Sequence, residues 1–165
     1  MLETNRLSIE EALLGDADFF FRLLNSPNWI EYIGDRGIKT LADAERYIQN
    51  SLINSYRTNG FGLYKLMLRT NKQPIGICGF LKRNYLDHPD LGFAILPEYE
   101  RHGYTFEAAE ALMDYGKSIL LFKTTLAITT KKNTASKGLL EKLGMKENRK
   151  VNPSEAGEEL LVYSN

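Results

Sequence analysis

The segment LGFAILPEYERHGYTFEAAEALM, residues 91–113, constrains the fold of this chain more than any other stretch. Its apolar run predicts a strand, a charged turn follows, and an alanine-rich stretch predicts a helix over about residues 104–119. Gly103 stands at the helix start in place of a Ser or Asp cap. The first backbone N–H groups of this helix are therefore predicted to be free, at the positive end of the helix dipole.

An uncapped helix start that follows a strand and a short turn can hold an anion such as a phosphate group. Gly103 would let the backbone approach a phosphate without a Cβ in the way, and Arg101 and His102 add donors beside it. The alternative interpretation is a glycine-containing turn before a core helix. The sequence contains neither a Walker loop nor a Rossmann fingerprint, so any phosphate loop here is of another kind.

The remaining segments predict a mixed α/β domain around one sheet, in the order β-α-α-β-β-β-α-β-α-β-β. Asp16 and Thr40 are the predicted N-caps of the first two helices, and Asn133 is that of the last, which ends at Gly144. The predicted strands lie at residues 6–12, 61–68, 74–81, 91–96, 123–129, 146–151 and 158–163, and the predicted helices at 16–25, 40–56, 104–119 and 133–143.

Composition and charge exclude several classes of protein. The chain has 165 residues, 43% of them hydrophobic and 25% charged, which predicts one domain spanning residues 1–165. Basic and acidic residues number 21 each, so the net charge is zero and no nucleic-acid partner is expected. No apolar segment approaches about 18 residues and the N-terminus lacks a signal-peptide pattern, so we expect a cytoplasmic protein without a membrane partner.

The cysteine and histidine content argues against covalent and metal chemistry. Cys78 lies in the apolar run IGICGF without a nearby basic residue, which predicts a buried, unreactive thiol. His88 and His102 are too few and too widely separated to form a recognisable metal site, so no metal is expected.

Two segments carry a resemblance to a known family. PEYERHGYTFEA, residues 97–108, resembles the pyrophosphate-binding motif Q/R-x-x-G-x-G/A of the GCN5-related N-acetyltransferase (GNAT) family, with Glu100 in place of Gln or Arg and Thr105 in place of Gly or Ala. KKNTASKGLLEKLGM, residues 131–145, resembles the family ending N-x-x-S-x-x-L-x-E-K-L-G-F. With LETNRL and PIGICGF, the resemblance covers essentially the whole chain and is nearest to the branch of ribosomal-protein N-terminal acetyltransferases.

The resemblance implies a fold and a cofactor. The fold would be α/β (α+β), with a mixed, mostly antiparallel sheet of about seven strands, about four flanking helices and splayed central strands. The cosubstrate would be acetyl-CoA, whose pantetheine arm lies between the splayed strands like an added strand. By this resemblance the cofactor-binding residues would be Phe93, Ala94 and Ile95 for the arm and acetyl group, Arg101, His102, Gly103, Tyr104, Thr105 and Phe106 for the pyrophosphate, and Asn133 and Lys137 for the pantetheine and a phosphate.

The resemblance also suggests catalytic residues. Acetyl transfer needs a neutral amine, so a general base helps, and Asp90 is the first candidate and His88 the second. Ser136 occupies the family position of the acid that protonates the thiolate leaving group. The alternatives are that Asp90 simply ends a turn before a strand and that Ser136 is a helix-start serine bonding the backbone.

The segment NWIEYIGDRG, residues 28–37, mixes aromatic and charged side chains and is the predicted acceptor site. The alternative is that its apolar residues pack in the core beneath a loop. The residues predicted to bind the acceptor are Trp29, Glu31, Tyr32, Asp35 and Arg36.

These observations predict an acetyl-CoA-dependent N-acetyltransferase, a monomer or homodimer, that acts on a protein N-terminus or a small amine by direct attack in a ternary complex. The alternatives are a non-catalytic acyl-CoA-binding or regulatory domain and a nucleotide-binding protein that uses the same helix start.

Overall fold

The computed structural model describes residues 2–153 and 158–165. Among these residues, eight strands form one sheet in the order β1-β2-β3-β4-β5-β6-β8-β7. The strands are β1 Leu2–Glu3, β2 Leu7–Glu10, β3 Leu63–Leu68, β4 Pro74–Leu81, β5 Asp90–Ile95, β6 Leu126–Thr130, β7 Lys146–Val151 and β8 Leu160–Ser164.

Helices cover both faces of this sheet. They are α1 Ala17–Leu24, α2 Pro27–Tyr32, α3 Leu41–Tyr47, a π-helix Ile48–Ile53, α4 Asn54–Asn59, α5 Tyr104–Ser118 and α6 Thr134–Lys142. Short 3-10 turns lie at Leu14–Asp16 and Pro97–Tyr99. No helix within the described ranges is long and apolar enough to cross a bilayer.

All neighbouring strands pair antiparallel except β5 and β6, which run parallel. This confirms the predicted mixed, mostly antiparallel sheet. The strand predicted at residues 6–12 is confirmed as β2, which is shorter at both ends. The two-residue strand β1 lies before that range and pairs with β2 through a tight turn, in which the backbone N–H of Thr4 donates to the carbonyl of Leu7 at 2.9 Å.

The two central strands β5 and β6 are splayed, as predicted. Their only register pair among the described residues is Asp90 with Leu126, where both strands begin. The N–H of Leu126 also donates to the carbonyl of Pro89 at 2.9 Å. Because parallel strands that pair only at their starts diverge toward their carboxyl ends, a gap opens between β5 and β6 at that end.

Two apolar clusters lie on opposite faces of the sheet, because successive strand side chains alternate between faces. One cluster contains Leu66, Cys78 and Phe80 and packs against α5 and α6. Gly116 lets α5 approach closely, since a Cβ there would lie 2.7 Å from the ring of Phe80. Cys78 is fully buried, which confirms the predicted buried thiol, and this burial raises the pKa of the thiol to about 12.

The second cluster joins the other face of the sheet to α1, α2 and α3. The predicted helix start at Thr40 is confirmed: its hydroxyl accepts from the N–H of Asp43 in a capping box. The helix continues without a break through the π-helix to Asn59 and ends at Gly60 in left-handed backbone, three residues beyond the predicted end. The short helix α2 was not predicted, because Pro27 was interpreted as ending α1, whereas it occupies the first turn of α2.

Asp16 precedes α1 as predicted, but its side chain does not cap the helix. Its carboxylate accepts from the N–H of Leu13 at 2.8 Å and from the Lys65 ammonium at 2.7 Å instead. Lys65 is 5% exposed, so this ion pair satisfies a buried charge and fixes the start of α1 against β3. Asp16 is not a cap because its carboxylate binds Lys65, which lies 49 residues further along the sequence.

Candidate active site

The turn between β5 and α5 forms an open, uncapped helix start. Gly103 is the N-cap residue with φ 79° and makes no side-chain cap hydrogen bond, which confirms the prediction of an uncapped start. Arg101 also adopts left-handed backbone, with φ 61°. A non-glycine residue in this region is strained, and such strain is concentrated at ligand-binding turns. The turn therefore has the backbone shape of an anion-binding site at the positive end of α5.

The side chains of the turn are arranged around this helix start. Arg101, His102 and Gly103 are exposed. The Nδ1–H of His102 donates to the carbonyl of Glu100 at 2.6 Å, and its ring stacks on Tyr104 with 5.8 Å between centroids. Arg101 and His102 thus lie at the surface next to free amides, where an incoming phosphate can reach them.

Glu100, which differs from the family motif, is engaged elsewhere. Its carboxylate accepts a hydrogen bond from the side-chain amide of Asn28 in α2. A carboxylate held by α2 is not free to enter an anion site at the start of α5. This contact also links the predicted acceptor segment to the turn before α5.

The gap between β5 and β6 leads from this turn into the sheet. Phe93, Ala94 and Ile95 pair with β4 on one side, and on the side of β6 no strand pairs with them in the described part of the chain. Their side chains are half-buried, in contrast to the buried Asp90 and Leu91 at the start of β5. The gap therefore offers unpaired backbone groups and partly apolar walls to an extended ligand.

Asn133 and Ser136 lie at the start of α6, which follows β6. The side-chain oxygen of Asn133 accepts from the backbone N–H of Ser136 at 3.0 Å, so Asn133 is the cap of this helix. Ser136 is 8% exposed, and its hydroxyl has no hydrogen-bond partner within residues 2–153 and 158–165. Lys137, the next residue, is half-buried.

Asp90 lies at the closed end of the gap and is 1% exposed. Arg83 donates through Nε to both of its carboxylate oxygens at 3.0 Å. Burial raises the pKa of Asp90, and the charge of Arg83 and its hydrogen bonds reduce this rise. His88, the second candidate base, is exposed, and its Nε2 lies 3.9 Å from a carboxylate oxygen of Asp87.

The predicted acceptor residues divide into one buried residue and four at the surface. Trp29 is 3% exposed and packs edge-on against Tyr47, with 6.5 Å between ring centroids. The structure thus places Trp29 in the core rather than in an open pocket, as the alternative interpretation expects, whereas Ile30 and Ile33, which that interpretation also placed in the core, are exposed. The remaining four, half-buried Tyr32 and exposed Glu31, Asp35 and Arg36, follow it along α2 and the loop after it.

Tyr47 and Arg83 were not predicted from the sequence. Tyr47 lines a cavity of about 230 Å³ between the helix of residues 41–59 and the ends of β3 and β4, and the π-helix forms part of its wall. Burial raises the pKa of Tyr47, while the charges of Arg36 and Arg83 oppose the rise. The sequence gives no signal for Arg83, because its pairing with Asp90 depends on the register of β4 and β5, in which Leu81 is the partner of Asp90.

Comparison with known proteins identifies the family of this chain. The sequence profile of the acetyltransferase (GNAT) domain matches residues 6–146. The uncharacterized N-acetyltransferase YoaA of Bacillus subtilis is 28% identical over 148 residues, which cover 87% of this chain and 81% of that protein. The chain therefore belongs to the GNAT acetyltransferase family, and it is an N-acetyltransferase in the general sense of that family.

Two solved structures have the same fold. RimL, the ribosomal L7/L12 alpha-N-protein acetyltransferase in complex with coenzyme A, superposes with a TM-score of 0.84 at 12% identity and covers 98% of this chain and 94% of that chain. The microcin C7 self-immunity acetyltransferase MccE, in complex with acetyl-CoA and AMP, gives a TM-score of 0.81 at 17% identity and covers 98% of this chain and 93% of that chain. Ribosomal-protein acetyltransferases are thus among the structural neighbours, as the branch resemblance predicts.

Proposed function

We propose that this chain forms one domain that transfers the acetyl group of acetyl-CoA to a primary amine by direct attack in a ternary complex. The observation that carries the proposal is the uncapped start of α5 at the open end of the gap between β5 and β6. A phosphate site and an extended slot adjoin there, which suits a ligand with a pyrophosphate at one end and a pantetheine arm at the other.

The cofactor lies across the turn and along the gap. The backbone of residues 101–106 and the side chains of Arg101 and His102 bind the pyrophosphate. The pantetheine arm extends along Phe93, Ala94 and Ile95, the amide of Asn133 bonds it from α6, and Lys137 pairs with a phosphate. RimL and MccE bind coenzyme A and acetyl-CoA on the same fold, which supports this placement.

The chemistry is an acyl transfer between two nucleophiles. The amine nitrogen attacks the thioester carbonyl carbon, the new C–N bond forms, and the C–S bond breaks. A backbone N–H of β5 stabilises the oxyanion of the tetrahedral intermediate. The proton lost by the amine goes to Asp90, and Ser136 gives a proton to the departing thiolate. Asp90 then releases its proton to solvent and Ser136 takes one from solvent, so that the net reaction moves one proton from the amine to the thiol.

Two features of the site support these two roles. Burial raises the pKa of Asp90, which makes its carboxylate a stronger base than an ordinary aspartate. Ser136 has a hydroxyl that the N-terminal cap of α6 does not use, because Asn133 provides that cap. Its proton is therefore available to a sulfur atom in the gap.

The acceptor is a protein N-terminus or a small amine that approaches along α2. Glu31, Tyr32, Asp35 and Arg36 are accessible there, and the acidic pair suits an amine that arrives protonated. RimL acts on a protein α-amino group, and this favours a protein or peptide N-terminus for the present chain as well.

Free-thiol release from acetyl-CoA tests the function on a panel of N-terminal peptides, polyamines, amino acids and aminoglycosides. We expect release that requires one class of amine and saturates with both substrates. Binding of acetyl-CoA in a titration without thiol release on any amine would contradict the catalytic proposal. No shift in melting temperature with millimolar acetyl-CoA would contradict the cofactor site, because saturation at 100 times Kd stabilises a fold by about 2.7 kcal/mol.

A further inference from the structure

The turn between β1 and β2 contacts the first turn of α5, about a hundred residues away in sequence. The hydroxyl of Thr4 and the backbone N–H of Arg6 both donate to Oε1 of Glu107, at 2.6 Å and 2.8 Å. The Nε of Arg6 donates to Oε2 of the same carboxylate at 2.6 Å. Both oxygens of Glu107 are therefore bound by the N-terminal segment.

Arg6 holds the proposed phosphate turn at two further points. Its Nη1 donates to the carbonyl of His102 at 2.9 Å, and its guanidinium carbon lies 4.4 Å from the ring centroid of Tyr104. Its Nη2 lies 3.5 Å from the position that a Cβ on Gly103 would occupy. One planar side chain thus contacts the backbone before the helix start, the ring after it and the carboxylate one turn later.

The segment that Arg6 holds is one that a free chain would rarely form. Arg101 and Gly103 are both in left-handed backbone, and the carbonyl bound by Arg6 belongs to the residue between them. Left-handed backbone at a non-glycine residue is costly, so it persists only where neighbouring contacts fix it. The guanidinium provides such contacts on the side of the turn that faces the N-terminal strands.

The ion pair also controls the charge near the phosphate site. Partial burial acts to raise the pKa of Glu107, but the hydrogen bonds from Thr4 and Arg6 outweigh it and lower the pKa. Glu107 is therefore an anion in the first turn of α5, and Arg6 supplies the compensating positive charge. Without Arg6, the anion would oppose the binding of a phosphate at the same helix start.

We propose that Arg6 is a positioning residue for the cofactor pyrophosphate: it holds residues 101–103 in the anion-binding conformation and neutralises Glu107. This inference rests on the proposed phosphate site at α5. Arg6 acts through His102 and Glu107 and takes no part in acetyl transfer. It is thus a determinant of cofactor affinity that lies outside both family motifs.

The test is the affinity of the full-length protein for coenzyme A, measured by isothermal titration, together with steady-state kinetics on acetyl-CoA. Arg6→Ala is expected to raise the Kd for coenzyme A and the KM for acetyl-CoA about tenfold, the order of one partly exposed charge-assisted contact. The kcat at saturating acetyl-CoA and the binding stoichiometry are expected to stay within about twofold, because the reacting groups are unchanged.

Arg69→Ala is the matched control. Arg69 donates to the carbonyl of Thr4 at 2.8 Å and lies 3.5 Å from Glu3, so it supports the same N-terminal turn, and among the described residues it has no hydrogen bond or ion pair with α5. Its substitution is expected to leave the Kd for coenzyme A unchanged. Arg6→Lys is expected to bind as weakly as Arg6→Ala, because an ammonium group cannot bridge Glu107 and His102 as the guanidinium fork does.

Each outcome separates this inference from the proposed function. If the wild-type protein fails to bind coenzyme A, the proposed function itself is refuted. If the wild type binds and Arg6→Ala binds equally well, the positioning role is overturned. Equal losses in Arg6→Ala and Arg69→Ala, or a fall in kcat and stoichiometry with an unchanged KM, would show general destabilisation and overturn it too.

Discussion

The side-chain amide of Asn28 donates a hydrogen bond to the carboxylate of Glu100, across 72 residues of sequence. The contact joins α2, on the proposed acceptor side, to the turn that precedes α5, on the proposed cofactor side. It also explains how a carboxylate is tolerated where the family motif has Gln or Arg: the negative charge is bound by a neutral donor and held away from the helix start.

Substitution of Glu100 and Asn28 should change cofactor affinity in opposite directions. Glu100→Gln keeps an acceptor for Asn28 and removes the negative charge, so the Kd for coenzyme A should fall about threefold. Asn28→Ala releases the carboxylate, and the Kd should rise by a similar factor. Titration calorimetry measures both. In the double variant, Glu100→Gln should cancel most of the effect of Asn28→Ala, and additive effects would argue against this coupling.

Gly103→Asp should abolish binding of coenzyme A, with a Kd at least about a hundredfold higher, because it adds bulk and negative charge at the helix start. Gly103→Ala is the control for backbone strain. With φ at 79° the alanine variant should lose roughly 1–2 kcal/mol of stability but retain measurable binding. Differential scanning fluorimetry separates the two effects. Retained affinity in the aspartate variant would refute the placement of the pyrophosphate.

Ser136→Ala should lower kcat about tenfold or more and leave the Kd for acetyl-CoA within about twofold, as expected for loss of an acid. Asn133→Ala is the comparison on the same helix. It removes the cap on the N–H of Ser136 and should cost about 1 kcal/mol of stability as well as cofactor affinity. Stopped-flow binding measures the affinity for acetyl-CoA, and thiol-release assays measure kcat. A loss of affinity in Ser136→Ala equal to its loss of turnover would assign that hydroxyl to binding.

If Asp90 is the general base, the pH–rate profile should show a loss of activity on its acidic side. A base works only when it is deprotonated, and burial raises the pKa of Asp90, so kcat/KM should fall with decreasing pH at a higher pH than an ordinary aspartate would give. Asp90→Asn should lower kcat about a hundredfold and remove this dependence on pH. An unchanged pH–rate profile in Asp90→Asn would transfer the role to another group, with His88→Ala as the parallel variant.

The raised pKa of Asp90 also affects stability, and in the opposite direction: activity increases with pH, whereas the contribution of Asp90 to stability decreases. Because the folded-state pKa of Asp90 is raised, the folded protein binds this proton more tightly than the unfolded chain does. The contribution of Asp90 to the free energy of unfolding is therefore fully present below the unfolded pKa and lost as the pH rises through the folded pKa. Urea titrations of wild type and Asp90→Asn across this range measure it.

Local features of the site were predictable from sequence because they depend on neighbouring residues. The uncapped start of α5, the cap at Asn133 and the left-handed Gly144 each depend on a few consecutive residues, and the structure confirms them. The splay of β5 and β6 followed from the family resemblance. The acceptor segment was less predictable, because burial of Trp29 depends on how α2 packs against α3.

The contacts that adjust the site were not predictable, because each joins residues far apart in sequence. Arg6 to Glu107, Asn28 to Glu100 and Asp16 to Lys65 span 101, 72 and 49 residues respectively. Arg83 and Asp90 are closer, yet their pairing requires the antiparallel register of β4 and β5. Polar residues with no local partner give no signal in a single sequence until the fold brings them together.

Among the residues that the structure describes, β5 and β6 at the centre of the sheet pair only through Asp90 and Leu126. The five strands β1 to β5 and the three strands β6 to β8 therefore form two halves of the sheet that are joined by a single residue pair. An extended ligand bound between β5 and β6 would supply the backbone hydrogen bonds that these strands do not make with each other, and it would make the two halves of the sheet more rigid. Amides of residues 91–95 and 127–130 should then exchange hydrogen more slowly with coenzyme A bound, so that the cosubstrate completes the sheet as well as reacting on it.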